Sequence, residues 1–170
     1  FPLEMRPVAE GVAYAGYINQ VVAEKEVYIN GTVGGRYLNT TEDASKAVAI
    51  YAEKVAGGYK FYKLNGETKE YITIYANSEG KDSVNYDAAG NTVFNYDPVV
   101  NAWTTFFAGK DKYLGTYNTF NTISVSNLSY INAENTGVSQ FPLVLAPYVA
   151  GGTVVPPVEE PSNLNLMYPI

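Results

Sequence analysis

The chain has 170 residues, 46% of them hydrophobic and 16% charged, a balance that fits one globular core and excludes a disordered or collagen-like chain. It holds 16 Tyr, 15 Gly and 9 Pro but neither Cys nor His, which removes thiol nucleophiles, disulfides, Cys/His zinc sites and every Ser-His-Asp arrangement. A formal net charge of −6 leaves no cationic footprint for a phosphate backbone, so nucleic acid is not an expected partner.

In chain order, residues 1–10 read as an N-terminal arm carrying Phe1, Leu3 and Met5. From Val12 onward apolar and polar residues alternate in short runs rich in aromatic and β-branched types, the pattern of half-buried strands. The runs are Val12–Asn19, Glu26–Asn30, Arg36–Thr41, Ala47–Val55, Gly58–Leu64, Glu70–Tyr75, Ser83–Tyr86, Thr92–Asp97, Ala102–Ala108, Lys112–Tyr117, Thr122–Tyr130 and Phe141–Tyr148. They make about twelve strands, the number a closed all-β domain over residues 11–150 would need. Turn chemistry separates them at Asn30-Gly31, Gly34-Gly35, Gly57-Gly58, Asn65-Gly66, Gly90-Asn91 and Asp97-Pro98. One helical turn is predicted over Glu42–Lys46, capped by the acidic residues that open it. Residues 151–170 read as a Pro-rich C-terminal arm, since four of the nine prolines fall in residues 156–170.

No apolar run approaches the roughly 20 residues that span a bilayer, so membrane insertion is not expected. Phe1 stands where a Met would open a gene product, and no basic-then-apolar leader follows, which reads as a mature or excised chain and is compatible with secretion. The sequons at Asn30, Asn39 and Asn127 are what a chain rich in Asn and Thr produces by chance.

A short pattern recurs: Arg36-Tyr37-Leu38-Asn39-Thr40, Glu70-Tyr71-Ile72-Thr73-Ile74 and Lys112-Tyr113-Leu114-Gly115-Thr116, each preceded by an aromatic strand and a polar turn. With this spacing the chain resembles the β-trefoil superfamily, in which three four-stranded repeats build one barrel capped by three hairpins. The resemblance implies a β-trefoil of about twelve strands with pseudo-threefold repeats, and Leu38, Ile72 and Leu114 as equivalent core plugs. The repeated Gln-x-Trp of the ricin-like lectins is absent, so no sugar pocket is carried over from that family.

The chemistry legible in the residues points to binding rather than catalysis. The acidic residues Glu42, Asp43, Glu67, Asp82, Asp87, Asp97 and Asp111 sit in turn-like contexts, leaving Glu53 and Glu70 as the strand-borne carboxylates; no catalytic pair is expected. Asp82, Ser83, Asp87 and Asn91 lack the spacing of a calcium loop, and no phosphate-cradling glycine run occurs, so no metal or cofactor is expected. Carbohydrate sites combine an aromatic face for the C–H side of a sugar with amide and acidic groups for its hydroxyls. Tyr117, Asn118, Phe120 and Asn121 offer that mixture in one loop, and Trp103 is the single Trp.

Two functions follow as expectations. The first is a non-enzymatic structural or interaction subunit on an extracellular, cell or virion surface, anchored in a homo- or hetero-oligomeric assembly by its arms. Phe1, Leu3 and Met5 at one end and Leu164, Leu166, Met167, Tyr168 and Ile170 at the other would be the anchors. The second is a lectin-like module that binds glycans through Tyr117, Asn118, Phe120, Asn121 or Trp103.

Overall fold

The computed structural model describes residues 8–20, 23–117, 120–131 and 140–148. The strands are β1 (Tyr14–Gln20), β2 (Lys25–Gly34), β3 (Tyr37–Thr41), β4 (Ala49–Val55), β5 (Gly58–Asn65), β6 (Thr68–Ala76), β7 (Asp82–Asp87), β8 (Asn95–Asp97), β9 (Ala102–Phe107), β10 (Lys110–Tyr117), β11 (Thr122–Asn127), β12 (Gln140–Pro142) and β13 (Val144–Pro147). All join one open antiparallel sheet of 13 strands, ordered β7-β6-β5-β4-β1-β2-β3-β11-β10-β9-β8, with β12 on β10 and β13 on β1. The fold is therefore all-β, and a trefoil arrangement is not shown.

The alternation seen in the sequence is the alternation of the sheet. Ile50 and Ala52 on β4, Phe61 on β5, Ile72 and Ile74 on β6 and Val84 on β7 face the same core as Ile18, Val27, Ile29, Leu38, Leu114 and Ile123 from the other half. The three repeat positions Leu38, Ile72 and Leu114 are all buried in this cluster. The tyrosines beside them differ: Tyr113 is wholly buried, whereas Tyr37 and Tyr71 are half-buried.

Backbone bonds outside the ladder fold the sheet over. Tyr59 and Phe94 exchange both N–H···O bonds, at 2.9 and 2.7 Å, tying β5 to the segment that enters β8. At the other end the Val84 N–H donates to the Arg36 carbonyl at 3.1 Å, bringing β7 to β3. The expected strand Phe141–Tyr148 is split at Leu143, whose N–H donates to the Leu114 carbonyl at 2.8 Å and whose side chain enters the core. This crossing lets one stretch of chain serve both β10 and β1. β12 can lie on β10 because Gly115 has no side chain; a Cβ there would stand 2.5 Å from the Phe141 carbonyl oxygen.

Local chemistry explains where expected boundaries moved. Asn30-Gly31 is not a turn: it lies inside β2, where the register against β3 shifts between Ile29 and Val33 and Gly31 takes φ +88°. Asn30 Oδ1 accepts from the Thr32 N–H and hydroxyl, which stabilises a bulge, and the chain reverses only at Gly35 and Arg36. The predicted turn before β4 is a 3-10 turn at Ala44–Lys46, where Asp43 accepts from the Ser45 N–H at 3.0 Å and hydroxyl at 2.7 Å. The run expected from Thr92 forms ladder only over Asn95–Asp97; ahead of it Phe94 makes an isolated bridge with Tyr59 and Thr92 Oγ1 accepts from the Ile74 N–H. The run from Thr122 stops at Asn127 and continues as a 3-10 turn over Leu128–Ile131. Glu10 already bridges Ala52 and accepts from the Lys54 N–H at 2.9 Å, so the chain meets the sheet within the segment read as an arm.

Candidate functional site

The loop joining β10 to β11 is fixed at both ends by side chains from distant strands. Gln20 of β1, fully buried, donates from Nε2 to the carbonyls of Tyr117 at 2.6 Å and Phe120 at 3.0 Å. The buried Thr116 hydroxyl donates to the Phe120 carbonyl at 3.2 Å. Thr40 of β3 donates to the Asn121 carbonyl at 2.6 Å, and Lys25 of β2 donates to Asn121 Oδ1 at 2.7 Å. Four hydrogen bonds from other strands and one from β10 itself hold Tyr117, Phe120 and Asn121, and an aromatic pair so held binds with less entropy to lose.

The pair so held is Tyr117 and Phe120, whose ring centroids lie 5.2 Å apart at an interplanar angle of 35°. Phe120 is 55% exposed. Both rings line a cleft of about 460 Å³, with Tyr130 at its rim and Ser124 and Ser126 of β11 along its wall. Arg36, Tyr37, Asp82 and Lys112 also line it, contributed by the β2–β3 turn, β3, β7 and β10. Cleft and loop thus combine an exposed aromatic face, hydroxyls and charged groups.

Lys112 shares the strand phase of Leu114 and is buried, so its ammonium needs a partner. Asp82 supplies one, with Oδ2 2.6 Å from Lys112 Nζ. Arg36 is held differently: Nη2 and Nε donate to the Asp82 backbone carbonyl at 2.8 and 3.3 Å, and Nη1 donates to the Tyr37 hydroxyl at 3.0 Å. The guanidinium carbon also lies 5.2 Å from the Tyr37 ring centroid. The cleft therefore carries two cationic side chains against one carboxylate in a chain whose net charge is −6.

The structure separates the residues singled out in the sequence. Tyr117, Phe120 and Asn121 belong to the described part of one loop, and Asn118 lies outside the described residues. Trp103 is only 8% exposed and packs on Phe61, Tyr96 and Tyr59 at centroid distances of 5.0, 5.2 and 5.7 Å. Its ring faces are taken by other aromatics, and it does not line the cleft. Asp87 and Asp97 accept from the backbone N–H groups of Ala89 and Val99 and serve turns. The arm residues Phe1, Leu3, Met5, Leu164, Leu166, Met167, Tyr168 and Ile170 lie outside the described residues.

In the sequence Arg36, Tyr37 and Lys112 stand out only as members of the recurring pattern and Asp82 only as a turn residue. A lysine in phase with a core leucine was the one local signal available. Also unseen in the sequence is a second, open concavity walled by Val99, Phe106, Leu128 and Ile131, where Val99 and Phe106 are exposed.

The strand-borne carboxylates have structural partners. Glu53 accepts from the Tyr71 hydroxyl at 2.7 Å and Lys69 Nζ at 3.2 Å, and these bonds, the tyrosine's first, hold its pKa below the usual range. Glu70 is lowered likewise, first by Lys63 at 2.6 Å and then by Asn65. A carboxylate whose folded pKa is depressed adds stability above its unfolded pKa of about 4.3, and that contribution disappears as pH falls through the folded value. Urea unfolding from pH 7 to pH 2 is expected to show a shallower acid limb for Glu53→Gln/Glu70→Gln than for the wild type. Parallel limbs would refute the assignment. Among the described residues no group of three His, Cys, Asp or Glu side chains could hold a metal ion, and no helix is long and apolar enough to cross a membrane. The chain matches no family model, no curated protein and no solved structure.

Proposed function

We propose that this protein is a non-enzymatic binding module whose cleft between β3, β7, β10 and β11 takes a carbohydrate. The observation that carries the reading is the pair of half-buried Tyr117 and exposed Phe120, whose backbone carbonyls buried Gln20 holds, in a cleft also lined by hydroxyl and charged side chains. A sugar ring lays its C–H face on such aromatics and turns its hydroxyls to the polar wall. Binding rather than catalysis is supported by the carboxylates. The strand-borne pair Glu53 and Glu70 are each engaged by structural partners, Tyr71 and Lys69 for the first and Lys63 and Asn65 for the second. Glycans of this kind are met outside the cell, which supports an extracellular or virion surface as the place of action.

The anchored-subunit reading draws its support from the composition of residues 1–7 and 151–170 and is compatible with a glycan site on the body. The pseudo-threefold trefoil reading is supported by the sequence repeat and by the shared burial of Leu38, Ile72 and Leu114, while the ladder order follows another path.

A glycan array probed with wild type, Phe120→Ala and Tyr117→Ala is expected to show binding by the wild type and loss of about tenfold or more in the Phe120 variant, the size of a lost aromatic contact. The side chain of Phe120 is exposed, so its removal should leave the melting temperature nearly unchanged. Absence of wild-type binding to every glycan would overturn the reading.

A further inference from the structure

We infer that the cleft selects a sugar unit bearing a carboxylate, an inference that rests on the carbohydrate reading above. The three charges in the cleft are not used alike. Asp82 gives its carboxylate to Lys112 at 2.6 Å, and only its backbone carbonyl to Arg36. Among the described residues Arg36 therefore forms no ion pair: its acceptors are one carbonyl oxygen and one phenol oxygen, both neutral.

A guanidinium has five N–H donors. Three of those on Arg36 are engaged, by the Asp82 carbonyl twice and the Tyr37 hydroxyl once. The remaining two, one on each terminal nitrogen, are left to donate to an incoming acceptor, and a carboxylate is the anion that guanidinium groups pair with most strongly. The group is half-buried and held by neutral partners, so an arriving carboxylate finds it already placed and need not displace an internal anion. The aromatic pair lines the same cleft, which assigns one ligand two complementary features: an apolar ring face for Phe120 and a negative charge for Arg36. Neutral sugars would use the first feature and leave the second idle.

Two sources carry this chemistry, internal hexuronic acids of a polysaccharide and terminal nonulosonic acids of a glycoconjugate. Calorimetric titration of the full chain separates them with four probes: a hexuronate tetrasaccharide, the same compound with its carboxyls reduced, sialyllactose, and lactose. At least one acidic probe is expected to bind about tenfold or more tighter than its neutral counterpart, as a charged hydrogen-bonded pair would give. The member that does so names the source. Arg36→Gln is expected to bring the acidic probe to the affinity of the neutral one, while Phe120→Ala weakens both. Thermal melts check the fold of each variant, and the comparison of probes on the wild-type chain depends on no variant at all. Equal affinity for acidic and neutral probes would overturn the carboxylate preference and leave the carbohydrate reading standing. An unchanged preference in folded Arg36→Gln would overturn the role of Arg36. Silence toward all four probes and the glycan array would overturn both readings.

Discussion

Asp82→Ala is expected to destabilise the protein by about 1–3 kcal/mol, the cost of leaving the buried Lys112 ammonium without its half-buried counter-charge. The Lys112 side chain is 8% exposed, and its ammonium meets the Asp82 carboxylate at 2.6 Å. Removing the acid strands that charge where water reaches it poorly. The backbone carbonyl of Asp82, which orients Arg36, survives the substitution. Replacing both partners, Asp82→Ala/Lys112→Met, is expected to recover most of the loss, because the desolvation cost of the lysine disappears with the lysine. Urea denaturation of wild type, both single variants and the double variant closes the cycle. A single-variant loss below about 1 kcal/mol would place the pair in the class of surface bridges and refute its burial.

Trp103→Ala is expected to cost about 3–5 kcal/mol, the usual penalty for truncating a large buried aromatic. The ring sits among Tyr59, Phe61 and Tyr96, neighbours that come from β5 and β8, so the cavity would open where β5 meets the last strands of the sheet. As the one Trp in the chain, it also reports its own surroundings: emission should be blue-shifted in the native state and shift red on unfolding. Saturating sugar should leave that emission unchanged, since Trp103 does not line the cleft. A stable, folded Trp103→Ala that loses glycan binding would instead make this residue part of the ligand site.

The strands were legible because their signal is local. Gly58–Leu64 was read within one residue of β5, and the helical turn before β4 was announced by Asp43 and its neighbours, since a cap and the residues it caps are adjacent in sequence. Boundaries failed where a distant group competed for the backbone. Phe94 pairs with Tyr59 thirty-five residues away ahead of β8, and Leu143 breaks the last run in two by bonding to Leu114.

The binding face divides in the same way. Tyr117, Phe120 and Asn121 could be picked out as an aromatic and amide cluster because they are neighbours in the chain. Nothing near Arg36 announces Asp82, 46 residues on, and nothing near Asp82 announces Lys112, 30 residues further. Gln20 lies 97 residues from the Tyr117 carbonyl it holds.

The sequence by itself determined that the chain is all-β, where most strands lie, and that a central row of aliphatic side chains is buried, because alternation and turn chemistry act over a few residues. The tertiary structure alone decided the order of the strands, the burial of Trp103 and the meeting of Arg36, Asp82 and Lys112 in one cleft with the aromatic pair. Those outcomes depend on which strand edges pair across long loops, a choice set by the packing of the whole core and carried by no single stretch of chain.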